Sequence, residues 1–254
     1  MRSRAKLLRL ERNENSLLEY PPGRWNEDAE NPRVIAVHKP DILVVSEFRN
    51  NPAGAKLRRW LTDFGHNHQA AGRTELQMQN AVLVSSRVSF EQIVFPELNF
   101  NAHRCVGARF GQFTLFGVYF PVMEAKRPVF AFLKSLPKEY LRRESLIIGD
   151  LNTGCRYWDE ERMDLSLVEE FGALLGCGWT DIWRMRNPML REWSWVEPWG
   201  RRTGYRLDHA LASPPLLSRV QEVHYSHEER ESGVSDHSSI VLNLQELDSR
   251  GSDS

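Results

Sequence analysis

Two polar side chains follow an aliphatic run in the stretch SLIIGDLNT, which spans residues 145–153. The run predicts a buried strand, and residues two apart in an extended chain point to the same side. The carboxylate of Asp150 and the carboxamide of Asn152 would then face one space beyond the sheet. The alternative is an ordinary strand-end turn, because Asp and Asn readily hydrogen-bond their own backbone. An isolated pair of this kind favours the turn, so other parts of the chain must decide.

Other acids, a tyrosine and a histidine fall at or near the ends of further apolar runs. Glu47 follows one run, Tyr119 ends a second, and Asp236 and His237 precede the last. Glu47, Asp236 and His237 could each be solvated on a loop. Asp208 instead lies among Leu and Ala residues, where a buried carboxylate needs a partner. So many polar strand ends in one chain favour a shared site over independent turns.

The same runs define the elements that must position these residues. Runs rich in Val, Ile, Leu and Phe and bounded by turn residues predict strands. They are residues 41–48, 80–86, 113–121, 145–150, 205–216 and 238–244. Apolar residues at helical spacing predict helices over residues 127–143 and 164–178. Strands in every third of the chain, with two helices between them, favour one sheet-rich α/β domain.

The composition limits the class of protein. The 254 residues carry a net charge of −1 and are 41% hydrophobic, enough for one large domain or two small ones with a sizeable core. No run approaches the ~18 uncharged apolar residues of a membrane span, and the charged N-terminus does not resemble a signal peptide. Three cysteines without C-x-x-C spacing fit a reducing cytoplasm better than a disulfide framework.

Six motifs in order resemble the endonuclease/exonuclease/phosphatase superfamily: ILVVSEF, NAVLVSS, GVYFP, IIGDLN, YRLDHALASPPL and VSDHSSIVL. Single motifs of this kind are weak, whereas the ordered set is specific. The segment SWVEPWGRRTGYRLDHALASPPL is similar to the exonuclease III and abasic-site endonuclease branch, which implies DNA repair. The resemblance runs from about Asp41 to Leu244. It implies an α/β (α+β) fold, a four-layer α/β/β/α sandwich of two mixed sheets with outer helices, and an active site at one end.

The N-terminal part departs from the family pattern, which opens with a strand ending in Trp-Asn whose Asn contacts the site. The stretch KLLRLERNEN could supply the strand but lacks Trp-Asn, and Trp25-Asn26 follows no apolar run. Asn13, Asn15 and Asn26 therefore stay outside the predicted site. We predict an irregular segment over residues 1–33 that could hold a diverged first strand, the endonuclease/exonuclease/phosphatase domain over residues 34–246, and a disordered tail over residues 247–254.

The resemblance implies a divalent cation, Mg²⁺ or Mn²⁺, at the site. Glu47 matches the family's metal carboxylate and Asp236 a second acidic position, and hard cations of this kind prefer oxygen ligands. Asp150 matches the residue that orients and deprotonates the attacking water, whose acidity rises near a cation. Asn152 matches an amide donor to the phosphate or to the nucleophile.

Three more positions match catalytic residues of the family. His237 and Asp208 match a His–Asp pair, in which the carboxylate fixes the tautomer or the charge of the ring while the other nitrogen faces a phosphate oxygen. Tyr119 matches the tyrosine of an N-x-Y-x-P motif, whose hydroxyl donates near the phosphate. Gly117 stands in place of the Asn, so this motif is partial.

Substrate contacts are expected from a basic residue and from a loop rich in Trp and Arg. Arg127, or Lys126 beside it, stands where some relatives place a basic phosphate contact. Trp199, Arg202 and Tyr205 belong to a segment in which aromatics alternate with arginines, which suits stacking on bases and contact with phosphates. We predict that these three residues, with Arg127, bind the substrate.

These assignments predict a metal-dependent hydrolase that cleaves phosphate ester bonds in nucleic acid, as an exonuclease III-like endo- or exonuclease. Nucleic acid is then the expected partner, in the cytoplasm, with no membrane association and no obligate protein partner. Two alternatives stay open. The near-neutral charge allows a phosphohydrolase of the same fold acting on a small-molecule or lipid phosphate ester. The irregular first motif allows a catalytically impaired binding relative.

Overall fold

A computed structural model of the chain describes residues 4–10, 37–74, 76 and 78–245. Most of the strands in these ranges belong to two six-stranded sheets. The strands are β1 (Arg4–Leu10), β2 (Ile42–Phe48), β3 (His68–Ala71), β4 (Ala81–Ser86), β5 (Glu91–Ile93), β6 (Cys105–Phe110), β7 (Phe113–Tyr119), β8 (Ser145–Asp150), β9 (Thr180–Asp181), β10 (Trp195–Val196), β11 (Gly204–Tyr205), β12 (Asp208–Ala212), β13 (Val220–Ser226) and β14 (Ser239–Leu244).

Helices connect several of these strands. The α-helices of the described ranges are α1 (Pro52–Asp63), α2 (Arg127–Ser135), α3 (Glu139–Arg142), α4 (Val168–Gly176), α5 (Ile182–Arg186) and α6 (Glu228–Glu231). Short 3₁₀ segments cover Pro96–Arg104, Met123–Lys126 and Pro214–Arg219. None of these helices has the length and apolar character needed to span a bilayer.

Both sheets are mixed. The first sheet has the strand order β13-β14-β1-β2-β4-β3, and the second has the order β5-β6-β7-β8-β12-β9. In the second sheet β8 runs parallel to β7 and antiparallel to β12. Strands β10 and β11 form a separate two-stranded ribbon. The predicted fold class, an α/β sandwich of two mixed sheets, is therefore confirmed.

The core lies between the two sheets, and the alternation of side chains along each strand explains why. On β2, Ile42 and Val44 face the second sheet, while Leu43 and Val45 face outward. On β8, Ile148 faces inward and Ile147 outward. Successive side chains of a strand point to opposite faces, so an aliphatic run buries both faces of its sheet at once.

Helices cover the two outer faces and complete the four layers. Leu61 of α1 packs on the outer face of the first sheet. Phe130 of α2 and Phe171 of α4 pack on the outer face of the second. Burying an aromatic side chain of this kind contributes about 2–3 kcal/mol, so these contacts fix which sheet each helix covers.

The first strand is present but runs in an unexpected direction. β1 lies between β14 and β2 and is antiparallel to β2, with Arg4 paired to Ser46. Its start therefore lies near Glu47, and its C-terminal end lies at the opposite edge of the sheet. Residues 4–10 of the predicted N-terminal segment thus form a strand, while its assignment as a diverged first strand and the domain boundaries stay predictions. The remainder of that segment, including Asn13, Asn15 and Asn26, and the tail at residues 247–254 lie outside the described residues.

The sequence analysis places the long strands well and the helices less completely. The predicted helix over residues 127–143 is split into α2 and α3, because Pro137 cannot continue a helix. Helix α1 was not predicted, although Asn51 caps it and Pro52 begins it, a combination that marks helix starts. Strands β3, β5, β6 and β13 were also missed, because their runs are short or mix polar residues with apolar ones.

Gly149 allows β8 to pack against β7, and we expect its replacement by alanine to destabilise the protein. An added Cβ would lie 1.9 Å from the carbonyl oxygen of Val118. That clash is with backbone, so the two strands must separate, at a cost of about 2 kcal/mol or more. Urea unfolding of Gly149→Ala against the wild type measures this cost.

Gly172 provides the matched control in helix α4. An added Cβ there meets no atom within 4 Å, and alanine in a helix is favoured over glycine by about 0.5–1 kcal/mol. Gly172→Ala should therefore stabilise the protein slightly. Equal effects of the two substitutions would contradict the packing argument.

Candidate active site

Four polar residues stand side by side at one edge of the second sheet. Asp150 at the end of β8 is paired with Tyr119 of β7 on one side and with Asp208 of β12 on the other. Arg104 directly precedes β6, whose register with β7 places it beside Tyr119. We call these four residues the polar row. Because neighbouring strands lie about 4.8 Å apart, the sheet itself sets their spacing.

The Asp150–Asn152 turn combines both readings of its sequence. The Asn152 N–H donates to Asp150 Oδ1 at 2.9 Å, so the aspartate does hydrogen-bond its own backbone. Asn152 has φ 51°, a left-handed conformation that Asn tolerates. Its Nδ2 donates to the carbonyl of Phe120 at 2.7 Å, which fixes the amide. Asp150 is nevertheless fully buried within the polar row, so the turn holds its carboxylate in place.

The first sheet contributes Glu47 through a bulge. The pairing of β2 with β4 shifts between Val45 and Phe48, and Glu47 has φ 58°. A bulge of this kind re-aims one side chain. The hydroxyl of Tyr119 donates to Glu47 Oε1 at 3.0 Å. This hydrogen bond joins the polar row to the first sheet.

His237 is the second contribution of the first sheet. It lies just before β14, and its Nδ1 is 2.7 Å from Asp208 Oδ2, with both side chains buried. A carboxylate only accepts, so Nδ1 carries the proton of this bond. Ligand atoms of Asp150, Asp208 and His237 all lie within 4.8 Å of one another. Three groups from two sheets thus converge.

The loop before β12 holds the His–Asp pair together. The Ser194 hydroxyl oxygen accepts from the backbone N–H of Leu207 at 2.9 Å and of Asp208 at 3.2 Å. The Ser194 carbonyl accepts from the N–H of Ser238 at 2.7 Å. Ser194 is fully buried. One residue therefore fixes the backbone on both sides of the pair.

Two basic side chains lie close to the acids. Burial lowers the pKa of Lys126 to about 8, against the opposing charge of Asp150. Its Nζ donates to the carbonyl of Asn152, beneath the turn. Arg104 Cζ lies 4.9 Å from the ring centroid of Tyr119. The sequence indicates Lys126 as an alternative to Arg127, whereas no motif marks Arg104.

Arg127 lies on the outer surface. It is about half exposed and forms ion pairs with Glu124 at 2.7 Å and Glu170 at 2.8 Å. Both partners are on the helical layer that covers the second sheet. Of the two adjacent basic residues, Lys126 is therefore the one that contacts the Asp150–Asn152 turn.

Aromatic residues stand beside His237. Trp195 forms an isolated β-bridge with His237, and its ring centroid is 5.7 Å from that of Tyr205. Tyr205 is buried and donates to Asp164, and this burial raises the pKa of Tyr205 to about 12. Trp199 is 81% exposed, in the turn of the β10–β11 ribbon. Arg202, also exposed, occupies the same turn.

The donor set fits a hard divalent cation. Glu47 and Asp150 supply carboxylate oxygens at one edge of the sandwich, and Asp236 is half-buried immediately before His237. Mg²⁺ and Mn²⁺ prefer such oxygen ligands. The burial of Asp150 also suits a cation, because a buried carboxylate is stabilised by positive charge.

A second cluster of acids and a histidine has a different character. Asp159, Asp181 and His209 are buried within 4.8 Å of one another. Here the positive charge comes from Arg206 and not from a metal ion, with 2.7 Å contacts to both Asp159 and Asp181. Burial opposes ionisation of the two acids, but the charge of Arg206 outweighs it and holds each carboxyl pKa below its usual value. We call these four residues the buried network.

The buried network ends on the active-site loop. His209 Nδ1 lies 3.1 Å from Asp181 Oδ2, and its Nε2 lies 2.7 Å from the carbonyl oxygen of Thr153. Each ring nitrogen of His209 therefore faces an oxygen acceptor. Thr153 directly follows Asn152. The network therefore anchors the turn from the face of the sheet opposite the polar row.

Removal of Arg206 tests this anchoring. Arg206→Met leaves two buried carboxylates without their main cation, and we expect the free energy of unfolding at pH 7 to fall by about 3–5 kcal/mol. The control is Arg162→Met, whose ion pair with Glu197 is about half exposed and should contribute less than about 1 kcal/mol. Urea unfolding measures both.

The pH dependence separates charge from packing in the same variant. Both carboxyl pKa values are lowered on folding. Their stabilisation is therefore complete above the unfolded pKa of about 3.9 and declines as the pH falls through the folded values. The stability difference between the wild type and Arg206→Met should be smaller at pH 3 than at pH 7. An equal difference at the two values would indicate lost packing.

Known folds agree with this architecture. An AP endonuclease from Archaeoglobus fulgidus superimposes with a TM-score of 0.72 at 16% identity, covering 96% of this chain and 99% of that one. The 3′-5′ exonuclease NExo from Neisseria meningitidis gives 0.71 at 21% identity, covering 96% and 100%. A 3′ phosphatase NExo from Neisseria, bound to a product DNA hairpin, gives 0.69 at 20% identity, covering 96% and 99%. At these identities the likeness concerns the fold.

The sequence itself identifies the family. No curated protein is significantly similar to the chain. The model of the Endonuclease/Exonuclease/phosphatase family matches residues 24–237, which include every residue of the polar row together with Glu47 and His237. The chain therefore belongs to the endonuclease/exonuclease/phosphatase family of hydrolytic phosphoesterases.

Proposed function

We propose that the protein is a divalent-metal-dependent phosphodiesterase that hydrolyses phosphate esters in nucleic acid, in the manner of exonuclease III-like endo- and exonucleases. The observation that carries this proposal is the convergence of Asp150, Asp208 and His237 at one edge of the sandwich, next to the Tyr119–Glu47 hydrogen bond. A proposed base, an acid-paired imidazole and a proposed metal carboxylate thus lie together at one end of the sandwich.

Glu47 and Asp236 would hold Mg²⁺ or Mn²⁺. The bound cation would offset the negative charge of the phosphate and make a nearby water more acidic. The Tyr119 hydroxyl donates to Glu47 Oε1. This hydrogen bond fixes the orientation of the whole carboxylate, including Oε2. A carboxylate held in this way loses less freedom when it binds a metal.

Asp150 and Asn152 would handle the attacking water. Asp150 accepts a proton from the water, since it is the acid at the centre of the polar row. One N–H of Asn152 Nδ2 donates to the carbonyl of Phe120. The other contact of Nδ2, with Asp150 Oδ2, is long at 3.4 Å. A phosphate oxygen or the water could take that second N–H in place of the long contact.

The His237–Asp208 pair would stabilise the charge that develops on the phosphate. Its 2.7 Å bond uses Nδ1, which leaves Nε2 for a phosphate oxygen. A donor aimed at developing negative charge of this kind contributes several kcal/mol to catalysis in comparable sites.

Several observations support nucleic acid as the substrate. Trp199 and Arg202 are exposed on one turn of the ribbon whose base lies beside His237, and Trp195 and Tyr205 form an aromatic wall there. Exposed aromatics stack on bases, and arginines contact phosphates. Relatives of this fold are named for AP endonuclease, 3′-5′ exonuclease and 3′ phosphatase activity, the last with a DNA hairpin. We propose on this basis a role in DNA repair in the cytoplasm.

A phosphohydrolase acting on a small-molecule or lipid phosphate ester is the second candidate. The near-neutral net charge favours it, and many arginines near the site are already paired with acids, such as Arg156 with Glu160 and Arg162 with Glu197. A third candidate is a catalytically impaired binding relative. In the family pattern the Asn that contacts the site ends the first strand, whereas the end of β1 that lies near Glu47 is its N-terminal end. The direction of β1 therefore favours this candidate.

Asp150→Asn tests the catalytic assignment. We expect kcat to fall by about 10²–10⁴-fold with little change in Tm, because the amide keeps the shape but cannot accept the proton. The assay uses end-labelled DNA that is abasic, nicked, 3′-phosphorylated or single-stranded, with Mg²⁺ and again after EDTA. Glu91→Gln, an exposed acid on β5, is the control and should remain fully active.

Two results would count against the proposal. Undiminished cleavage by Asp150→Asn would assign the activity to another site or to a contaminant. Absence of cleavage by wild-type protein at concentrations near that of the DNA, in either Mg²⁺ or Mn²⁺, would exclude the nuclease. In that case a panel of phosphoinositides, sphingomyelin and nucleotides tests the second candidate.

Trp199→Ala and Arg202→Gln test the nucleic-acid interface. We expect KM for single-stranded DNA to rise about 5- to 100-fold for Trp199→Ala, since stacking contributes ~1–3 kcal/mol per base. Arg202→Gln should reduce the slope of log KM against log salt by about one. Hydrolysis of bis(p-nitrophenyl) phosphate, which lacks bases, should be unchanged. Arg142→Gln, exposed on α3, is the control. Equal losses on both substrates would contradict a role in binding nucleic acid.

A further inference from the structure

Arg104 is the member of the polar row without an assigned role. It ends the 3₁₀ segment Pro96–Arg104 and directly precedes β6. Its Cζ lies 4.9 Å from the Tyr119 ring centroid, so the guanidinium stands over the residue that contacts Glu47. The row thus has a cation at one end and the His237–Asp208 pair at the other, with Asp150 between them.

The surroundings of Arg104 are polar and negative. Burial lowers its pKa, whereas Tyr119, Glu47 and Asp150 act in the opposite direction. Glu47 and Asp150 are the residues to which we assign the metal and the water, and Tyr119 donates to Glu47. An arginine is effectively always protonated in proteins, so it brings one fixed positive charge to this space.

The hydrogen-bonding capacity of Arg104 is not fully used. Its Nε is buried and has no hydrogen-bond partner within the described ranges. Arg58 and Arg87 also bury an unpartnered Nε, but they stack on Phe48 and Phe64 rather than at the site. A buried donor without an acceptor is destabilising, and a bound anion would supply the missing acceptor.

We propose that Arg104 binds a non-bridging oxygen of the scissile phosphate, at the end of the polar row opposite His237. This inference rests on the proposed function for the identity of the substrate. The planar guanidinium presents paired N–H groups that match two phosphate oxygens, and such charge-assisted bonds are about twice as strong as neutral ones. Arg104 and His237 then hold the phosphate from two sides while Asp150 faces the water between them.

The first measurement is binding of inorganic phosphate, which does not depend on turnover. Isothermal titration of phosphate in the presence of Mg²⁺ is carried out with wild type, Arg104→Gln, Arg104→Lys and Asp150→Asn. We expect Arg104→Gln to weaken binding about tenfold or more, since it removes a positive charge and a charge-assisted hydrogen bond. Arg104→Lys should be intermediate, because it keeps the charge and loses the fork.

Arg109→Gln is the matched control. Arg109 is on the same strand, β6, at its other end, where it forms an exposed ion pair with Glu91 at 3.3 Å. It should bind phosphate as the wild type does. Thermal unfolding of each variant identifies any loss of binding that comes from misfolding. If Arg104→Gln is unstable, Arg104→Lys tests the proposal instead.

The second measurement is hydrolysis of bis(p-nitrophenyl) phosphate, whose only phosphate is the scissile one. Arg104→Gln should raise KM about tenfold and also lower kcat. An effect on DNA alone would place Arg104 at a neighbouring phosphate and overturn the proposal. Unchanged phosphate affinity in a folded Arg104→Gln would reduce Arg104 to a packing partner of Tyr119 and overturn it as well.

The two proposals can fail separately. If the wild type cleaves no phosphate ester, the proposed function fails, yet loss of phosphate binding in Arg104→Gln still supports the anion site. If the wild type is active and Asp150→Asn is not, while Arg104→Gln binds phosphate normally, only the role of Arg104 is refuted.

Discussion

The backbone pairing of β8 with both of its neighbours is the constraint on which the site depends. The pairing brings Tyr119 and Asp208 level with Asp150. Gly149 makes it possible, because no side chain fits between it and the Val118 carbonyl. A slip of one residue would turn each of these side chains to the other face of the sheet. The positions of the polar groups are therefore consequences of strand register, which the inter-sheet core enforces.

The same strands carry chemistry on one face and support on the other. Asp208 and His209 are consecutive on β12, so they point to opposite faces: Asp208 to His237 and His209 to Asp181 and Thr153. Apolar replacement of a whole buried ion network can be as stable as the network itself, whereas loss of one member is costly. The buried network does something that apolar packing would not do. It fixes the carbonyl of Thr153 and, through it, the Asp150–Asn152 turn.

The gap between the two sheets determines what the site can hold. Glu47 reaches across it from a bulge, and the Tyr119 hydroxyl meets its carboxylate. His237 reaches across beside β14 to Asp208. This central geometry suits any phosphate ester and does not distinguish a nucleic acid from a small molecule. We propose that discrimination belongs to the ribbon turn, where Trp199 and Arg202 are exposed.

The sequence alone determined the family, the sandwich fold and the residues at the strand ends, because aliphatic runs and the polar residues that end them are local patterns. It also allowed for a first strand, which the structure contains as β1. Only the tertiary structure decided which polar residues meet. Arg104 follows no motif and becomes visible through its register beside Tyr119, while Lys126, one residue before Arg127, is the buried partner of the turn. The direction of β1 was likewise decided by its pairing with β14 and β2. Pairings of this kind join residues far apart in the chain, and local spacing carries no information about them.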